Sequence, residues 1–354
     1  MKKRVVVAMS GGVDSSVAAA LLKSKGYEVI GMTMCFSLPD SKGRRPSCCG
    51  LEGIEDARRV AHKLGVKHYV VSMQKDLQDK VIEDFSSEYL SGRTPNPCVR
   101  CNQYLKFGIL LKKARALDAE FLATGHYARV IRAQEYLLKK AKDKFKDQSY
   151  FLYRLNQKQL KHILFPLGDY TKTEVRKLAK KFNLPVADKP GSQEICFLPD
   201  NNYRRFLQTQ AGSKIKPGLI MDKNDNILGR HKGIAFYTIG QREGLGLALG
   251  YPAYIINISA RKNAITVGKK EDVLKDKFLV REPHFILKPV KKRIALTVKI
   301  RYNHKGALAQ VYPVGDNVGV RFKVPQFAVT PGQSAVFYNK DTVIGGGIIA
   351  KGMD

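Results

Sequence analysis

The chain has 354 residues, is 44% hydrophobic, and carries 62 Lys and Arg against 31 Asp and Glu, a formal net charge of +31. At roughly 150 residues per domain this predicts two or three domains, with ample hydrophobic content for packed cores. Such a charge draws polyanions; no apolar run is long enough to span a bilayer and no long basic amphipathic helix favours a lipid surface, so nucleic acid is the expected partner and no membrane is.

The N-terminus, Met1-Lys2-Lys3-Arg4 followed by Val5 to Met9, is too short in its apolar part for a secretory signal, and Lys23 and Lys25 follow it. A cytoplasmic protein is expected, with its six cysteines reduced, metal-bound or catalytic. Val5 to Met9 reads as a strand and Val17 to Lys25 as a helix, with Ser10-Gly11-Gly12-Val13-Asp14-Ser15-Ser16 between them. Two glycines let backbone approach an anion, and the first N–H groups of the helix lack intrahelical partners and point at it. Asp14 is a candidate to hold a cation that bridges phosphates. The loop is neither a Walker A loop nor a Gly-x-Gly-x-x-Gly turn. It resembles the PP-loop of the ATP pyrophosphatases, such as GMP synthetase and NAD synthetase, which implies cleavage of ATP between its α and β phosphates. The blander alternative is a serine cap after a glycine turn.

Further strands are predicted over Tyr27 to Met34, His68 to Ser72 and Phe121 to Thr124, and helices over Glu52 to Leu64, Leu77 to Tyr89 and Tyr104 to Ala116. That alternation predicts an α/β fold: an open, mostly parallel sheet whose ligand sits beyond the strand ends, where Gly11, Met34 and Gly125 fall. Residues 129 to 185 hold 15 Lys and Arg against 5 acidic residues, with a helix from Asp169 to Asn183, and a last helix is placed at Asn201 to Gln210. Beyond Lys216-Pro217-Gly218 the texture turns to short β runs: Ile234 to Ile239, Ala253 to Ile258 and Ala264 to Val267. After a second joint near Glu282-Pro283 come Ala295 to Ile300, Ala309 to Tyr312, Val318 to Phe322 and Ser334 to Tyr338. Three parts are expected: a catalytic domain over 1–210, a small β domain over 211–280 and a C-terminal β-barrel over 281–354.

Cys98-Val99-Arg100-Cys101 sits in a proline-stiffened loop just before the Tyr104 helix, and Cys196 in a second loop, Gly191-Ser192-Gln193-Glu194-Ile195-Cys196-Phe197. A thiol at a helix N-terminus beside Arg100 ionises more easily, and the thiolate is the reactive form. Cys35, Cys48 and Cys49 read as small buried hydrophobes; a zinc site joining them to His62 or His68 would lack a recognised spacing.

The set SGGVDSS, GRTPNPCVRCN, ATGHYAR, KDQSYFLY, GSQEICF and GRHKGIAFYTIGQREGLG, extended by RYNHKG and TPGQSAVFY, resembles the tRNA-specific 2-thiouridylase (tRNA-uridine 2-sulfurtransferase) family over nearly the whole chain. The resemblance implies ATP-dependent 2-thiolation of the wobble uridine of tRNA through an adenylated uracil. It implies Cys196 as the persulfide carrier and Cys101 as the nucleophile that leaves a Cys101–Cys196 disulfide. Ala8, Met9, Ser10, Gly11, Gly12, Val13, Asp14, Ser15, Met34 and Gly125 would line the site of ATP with Mg²⁺. Asn96, Pro97 and Cys98 would face the target base, and His126, Asp147, Gln148, Ser149, Arg301, Tyr302 and Gln333 would touch the tRNA anticodon stem-loop. A sulfur-carrier protein fed by a cysteine desulfurase would supply the persulfide. Well-known members carry Asp where this chain has Cys98. Two readings follow: a two-cysteine persulfide route, or an iron–sulfur cluster on Cys98, Cys101 and Cys196 with one iron open to sulfide. The rivals are another ATP pyrophosphatase and a non-catalytic RNA-binding protein on a relic nucleotide fold.

Overall fold

Val5, Val6 and Val7 are all fully buried, so the strand Arg4–Ala8 (β1) is covered on both faces, as a central strand of a parallel sheet must be. The computed structural model describes residues 2–36, 51–191, 195–198 and 200–350; Cys48, Cys49, Ser192, Gln193 and Glu194 lie outside the described residues. The chain divides into two compact units, the first made of Met1–Val81, Cys98–Asn201 and Asp341–Val343, the second of Ile82–Pro97, Asn202–Lys340 and Ile344–Asp354.

In the first unit β1 pairs in parallel with Glu28–Cys35 (β2) and with Phe121–Thr124 (β4); Lys67–Ser72 (β3) extends the sheet beyond β2, and Ile163–Leu164 (β7) beyond β4. The order is therefore β3-β2-β1-β4-β7. The chain runs outward through β1, β2 and β3 and then crosses to the other side of β1. The reversal between β1 and β4 opens a crevice at their carboxyl ends, the place where such sheets take ligands. One face of the sheet is covered by the helices Val13–Ser24, Leu51–Leu64 and Lys172–Lys181, whose Val17, Ala57, Val60, Val175 and Ala179 join Val5 and Val7 in one core. Thr171 caps the last of these helices in a capping box with Glu174.

Two elements of this unit differ from the expectation. A hairpin, Ala128–Arg132 (β5) with Tyr136–Lys140 (β6), occupies a stretch that composition marked only as basic; the cations of the strands dilute their hydrophobic alternation. The helix expected from Tyr104 begins seven residues earlier, as Pro97–Arg100, and runs on through a π-helical stretch, Cys101–Leu110, to Leu111–Arg115. Pro97 suits the first turn, where no N–H is needed.

The second unit holds a four-stranded sheet and a closed barrel. The sheet contains Gly218–Met221 (β8), Ile227–His231 (β9), Tyr254–Ser259 (β10) and Ala264–Gly268 (β11), in the order β10-β11-β8-β9. The strand expected at Ile234 to Ile239 is instead a 3-10 turn over Ile234–Phe236, where Phe236 N–H donates back to Gly233 O at 3.1 Å and Ile234 enters the core. The barrel is built from Leu274–Phe285 (β12), Ile294–Lys299 (β13), Ala307–Val314 (β14), Asn317–Phe327 (β15), Ser334–Asn339 (β16) and Thr342–Ile349 (β17), and closes by antiparallel pairing of β12 with β17. Closure leaves no open sheet edge in the barrel. Glu282-Pro283, expected as a joint, lies inside β12. Glu282 takes φ +49° and the register shifts between Arg281 and His284, so the pair forms a bulge that bends the strand.

Within the same unit, Glu88 of the helix Glu83–Leu90 is fixed by two guanidinium groups. Arg93 Nη2 donates to its Oε1 at 2.6 Å and Arg281 Nη2, from β12, to its Oε2 at 3.1 Å. Burial opposes the charge on Glu88, yet Arg93 and Arg281 outweigh it and hold the carboxyl below its usual range. A group lowered in this way stabilises the fold above its unfolded pKa, and the benefit is lost as pH falls through the folded value. Glu88→Gln is expected to cost about 1–3 kcal/mol in urea unfolding at neutral pH. The gap between variant and wild type should close as pH drops below 4.5, the ordinary carboxylate value; a gap that does not depend on pH would show that charge is not what holds the three side chains.

Candidate active site

The loop after β1 is shaped by its own hydroxyls. Ser15 Oγ donates to Gly12 O at 3.1 Å and accepts from Ser10 N–H at 3.2 Å, while Ser16 Oγ donates to Gly12 O at 2.9 Å. Gly12 is the N-cap of the helix Val13–Ser24, and no side chain caps it, so the first-turn N–H groups have no capping acceptor. Gly11 takes φ +74°, and a Cβ there would meet Gly53 O at 2.2 Å. Gly125, directly after β4, is tighter on the functional side: a Cβ would stand 2.7 Å from Ser15 N. The ends of β1 and β4 therefore meet at the first turn of the helix. Ser10 is exposed and Asp14 half-buried, and Met34, near the end of β2, is half-buried too.

Asp14 is held from two sides. Tyr127 Oη donates to Asp14 Oδ1 at 2.8 Å and Lys172 Nζ donates to the same oxygen at 2.6 Å. Lys172 opens the helix Lys172–Lys181, so its ammonium reaches the phosphate-type loop from a third element. Neither Lys172 nor Tyr127 was singled out from sequence. Lys172 stood in a run of basic residues, and only the fold separates it from the others.

The thiols lie along the same unit. Cys98 and Cys101, three residues apart in the first turns of a helical run, are half-buried and buried respectively; Cys196 is exposed. A hydrogen bond from Cys196 brings the Cys101 thiol down to about 7, against burial and with help from the Lys106 ammonium. Burial pushes Cys98 the other way, up to about 11. Lys106 also acts on His126, which burial and that cation hold well below the ordinary imidazole value, so the ring is neutral. His126 Nδ1 shares a 2.7 Å hydrogen bond with Thr124 Oγ1, and its ring lies 5.9 Å from that of Phe107. Gly125 and His126 are thus consecutive links, one against the anion loop and one beside the cation that serves the thiols.

The segment that leads to Cys196 is anchored at its start. Lys189 binds Asp56 and lies 3.0 Å from Glu52, while Arg176 Nη1 donates to Ala187 O at 3.3 Å. Cys35 is half-buried at the end of β2 rather than a core residue, because the strand ends there. Among the described residues, no three His, Cys, Asp or Glu side chains gather to hold a metal ion. Cys98, Cys101 and Cys196 are all described.

Family models match all three parts of the chain: a tRNA methyl transferase HUP domain over residues 3–200, a tRNA methyl transferase PRC-barrel domain over 204–269, and an aminomethyltransferase beta-barrel domain over 275–349. The tRNA-specific 2-thiouridylase MnmA of Halothermothrix orenii is 53% identical over 353 residues, 98% of each chain. That of Clostridium acetobutylicum is 47% identical, over 99% of this chain and 100% of its own. The chain belongs to the tRNA-specific 2-thiouridylase family. Among solved structures, a 4-thiouridine synthetase–RNA complex with bound ATP aligns with TM-score 0.36 and 18% identity, over 60% of this chain and 51% of its own.

The residues expected to meet tRNA in this 2-thiouridylase fall in both units. In the first, Asp147 and Ser149 are buried: Asp147 Oδ1 accepts from Ala141 N–H at 3.0 Å, and Ser149 Oγ donates to Asp147 Oδ2 at 3.0 Å. Gln148 Oε1 accepts from Tyr127 N–H at 3.1 Å. In the second unit Arg301 is exposed, and the Lys299 ammonium lies 5.7 Å from the Tyr302 ring. Asn96 and Pro97 end a loop that Gln333 fastens, its Nε2 donating to Thr94 O at 3.0 Å and Pro95 O at 3.1 Å. Thr94 N–H donates to Pro331 O at 2.8 Å.

The thiol values generate a direct test. With Cys101 at about 7 and Cys98 at about 11, alkylation of Cys101 followed by peptide mass analysis should rise through neutral pH and level off above pH 8 or so. Cys98 should remain unmodified over that range. In Cys196→Ser the Cys101 profile should move to higher pH; an unmoved profile would mean that Cys196 does not set it.

Proposed function

We propose that this chain catalyses ATP-dependent 2-thiolation of the wobble uridine of tRNA. The observation that carries the reading is the hydrogen-bonded Cys101–Cys196 pair in the same unit as the glycine–serine anion loop. The family match supports it, and use of ATP is consistent with that family. The three-part division at 1–210, 211–280 and 281–354, cytoplasmic location and feeding by a sulfur-carrier protein belong to the same proposal. No described helix is long and apolar enough to cross a membrane.

In this reading the uracil 2-oxygen attacks the α-phosphate of ATP, pyrophosphate leaves, and C2 acquires AMP as a good leaving group. Ala8 to Ser15, Met34 and Gly125 line the nucleotide site. The backbone N–H groups of the first helical turn and Lys172 Nζ oppose charge that develops on the phosphates. Asp14 is the residue that would hold Mg²⁺, since its carboxylate is the hard oxygen donor that cation takes beside phosphate. The ion would supply further charge neutralisation.

Sulfur then arrives as a persulfide on exposed Cys196. The Cys101 thiolate attacks the Cys196 sulfur, the sulfur–sulfur bond breaks, and hydrosulfide departs as a Cys101–Cys196 disulfide forms. Hydrosulfide adds to C2, AMP leaves, and 2-thiouridine results. A thiol reductant restores the two cysteines. Cys98, protonated at neutral pH by its raised value, takes no part as nucleophile or base. Asn96, Pro97 and Cys98 face the base, and His126, Gln148, Arg301, Tyr302 and Gln333, with the loop that Asp147 and Ser149 hold, form the tRNA footprint.

Anaerobic incubation with unmodified tRNA, ATP-Mg²⁺ and a persulfide source, read by nucleoside mass analysis, should place sulfur on the wobble uridine. Cys101→Ser and Cys196→Ser should each lose at least 100-fold in rate, while Cys98→Ser should stay within a few-fold. Loss in Cys98→Ser together with iron and labile sulfide in the anaerobic protein would replace the persulfide route by a cluster. No sulfur gain with a competent donor would overturn the function.

The net charge of +31 is open to a second measurement. Binding of tRNA should weaken steeply between about 50 and 200 mM salt, with log affinity linear in log salt concentration. A flat profile would remove the basic surface from the footprint.

A further inference from the structure

Phe145 is 94% exposed, the most exposed large hydrophobic side chain among the described residues; the next are Ile227 at 65% and Val324 at 64%. It does not hang on a loose strand end. Its N–H donates to Asp143 Oδ1 at 3.0 Å, and Lys146 N–H donates to the same oxygen at 3.1 Å. The other oxygen of Asp143 accepts from Lys172 N–H at 2.9 Å. At the far side, buried Asp147 ties Ala141 to Ser149. The turn is therefore built at both ends, and what it presents to water is an aromatic ring between Lys144 and Lys146, with Lys144 exposed as well.

Among the described residues nothing in the packing of this unit uses that ring, and an exposed phenylalanine has no polar handle to justify it in water. An aromatic face interleaved with cations is, however, what a single-stranded nucleic acid needs. Unpaired bases stack on the ring, while ammonium groups meet the flanking phosphates. The position suits this. Lys172, whose backbone is held by the Phe145 turn through Asp143, places its ammonium on Asp14 of the anion loop.

We propose that Phe145 is a base-stacking residue for tRNA: an unpaired nucleobase of the anticodon loop packs on its ring, and Lys144 and Lys146 contact the adjoining phosphates. The inference rests on the proposed tRNA substrate. It moves the contact of this loop from the buried side chains of Asp147 and Ser149 to the exposed tip they support.

The chain contains no tryptophan, so Phe145→Trp places a single fluorescent reporter at the tip. Titration with unmodified tRNA should quench and shift its emission, with affinity near that of wild type. Phe145→Ala should weaken tRNA binding roughly 5- to 100-fold, the usual worth of one base–aromatic stack. Its salt slope and ATP affinity should not change, because no charge is removed. An alanine variant that binds tRNA like wild type would overturn the proposal. So would an indole emission from the Phe145→Trp variant that stays constant while labelled tRNA saturates by anisotropy. Equal quenching by heparin, which has no bases, would also overturn it. Failure of the wild-type chain to bind tRNA at all would instead remove the proposed substrate, and this inference with it.

Discussion

The close approach of Gly125 to the first turn of the helix Val13–Ser24 is the constraint on which the active site depends. With a Cβ denied all room there, at 2.7 Å from Ser15 N, the carboxyl end of β4 seats directly on the anion loop. The crevice at the reversal of strand order thereby becomes a particular place with particular neighbours. His126 follows Gly125, and Tyr127 follows His126 and reaches Asp14. Three consecutive residues thus connect the glycine–serine loop to the cation beside the thiols.

That cation acts on three neighbouring groups that nevertheless behave differently. Lys106 favours the anionic form of both Cys98 and Cys101 and disfavours the charged form of His126. Its field is shared, so it does not by itself distinguish the two cysteines. The hydrogen bond from Cys196 does, because a thiolate is stabilised by a donor far more than a thiol is. The Cys196 hydrogen bond is the largest influence that lowers Cys101, whereas Cys98 has burial and, among the described residues, no compensating donor.

Much of the first unit was legible in the residues. The strand–loop–helix order around Ser10 to Ser16, the parallel sheet and the importance of Gly125 follow from periodicity and spacing. The pairing of Cys101 with Cys196 came from the family resemblance, and the hydrogen bond between them accords with it. What was not legible depends on tertiary placement. Lys172 is one lysine among many until the fold brings it to Asp14. β17, whose Gly345-Gly346-Gly347 lowers its apparent β-propensity, is a strand because its neighbours in the sheet pair with it, β12 among them. Glu282-Pro283 reads as a linker because positive φ and a missing N–H mark linkers and bulges alike.

The β modules are more than a generic basic grip. In the second unit the loop that precedes Cys98 is fastened by backbone and side-chain bonds: Thr94 to Pro331, Gln333 to the carbonyls of Thr94 and Pro95, and Arg93 to a Glu88 that Arg281 of the barrel also holds. Thr94 Oγ1 shares a further 3.0 Å hydrogen bond with Thr238. A loop held at three consecutive residues has little freedom left to lose, and ordering that is complete before any binding does not subtract from affinity. The barrel and the small sheet thereby act on this loop through the same bonds that stabilise the unit. Gln333, whose amide is bound to two carbonyls of that loop, thereby fixes the position from which Asn96 and Pro97 follow, and in the proposed reaction that is a positioning role distinct from any contact of its own with tRNA.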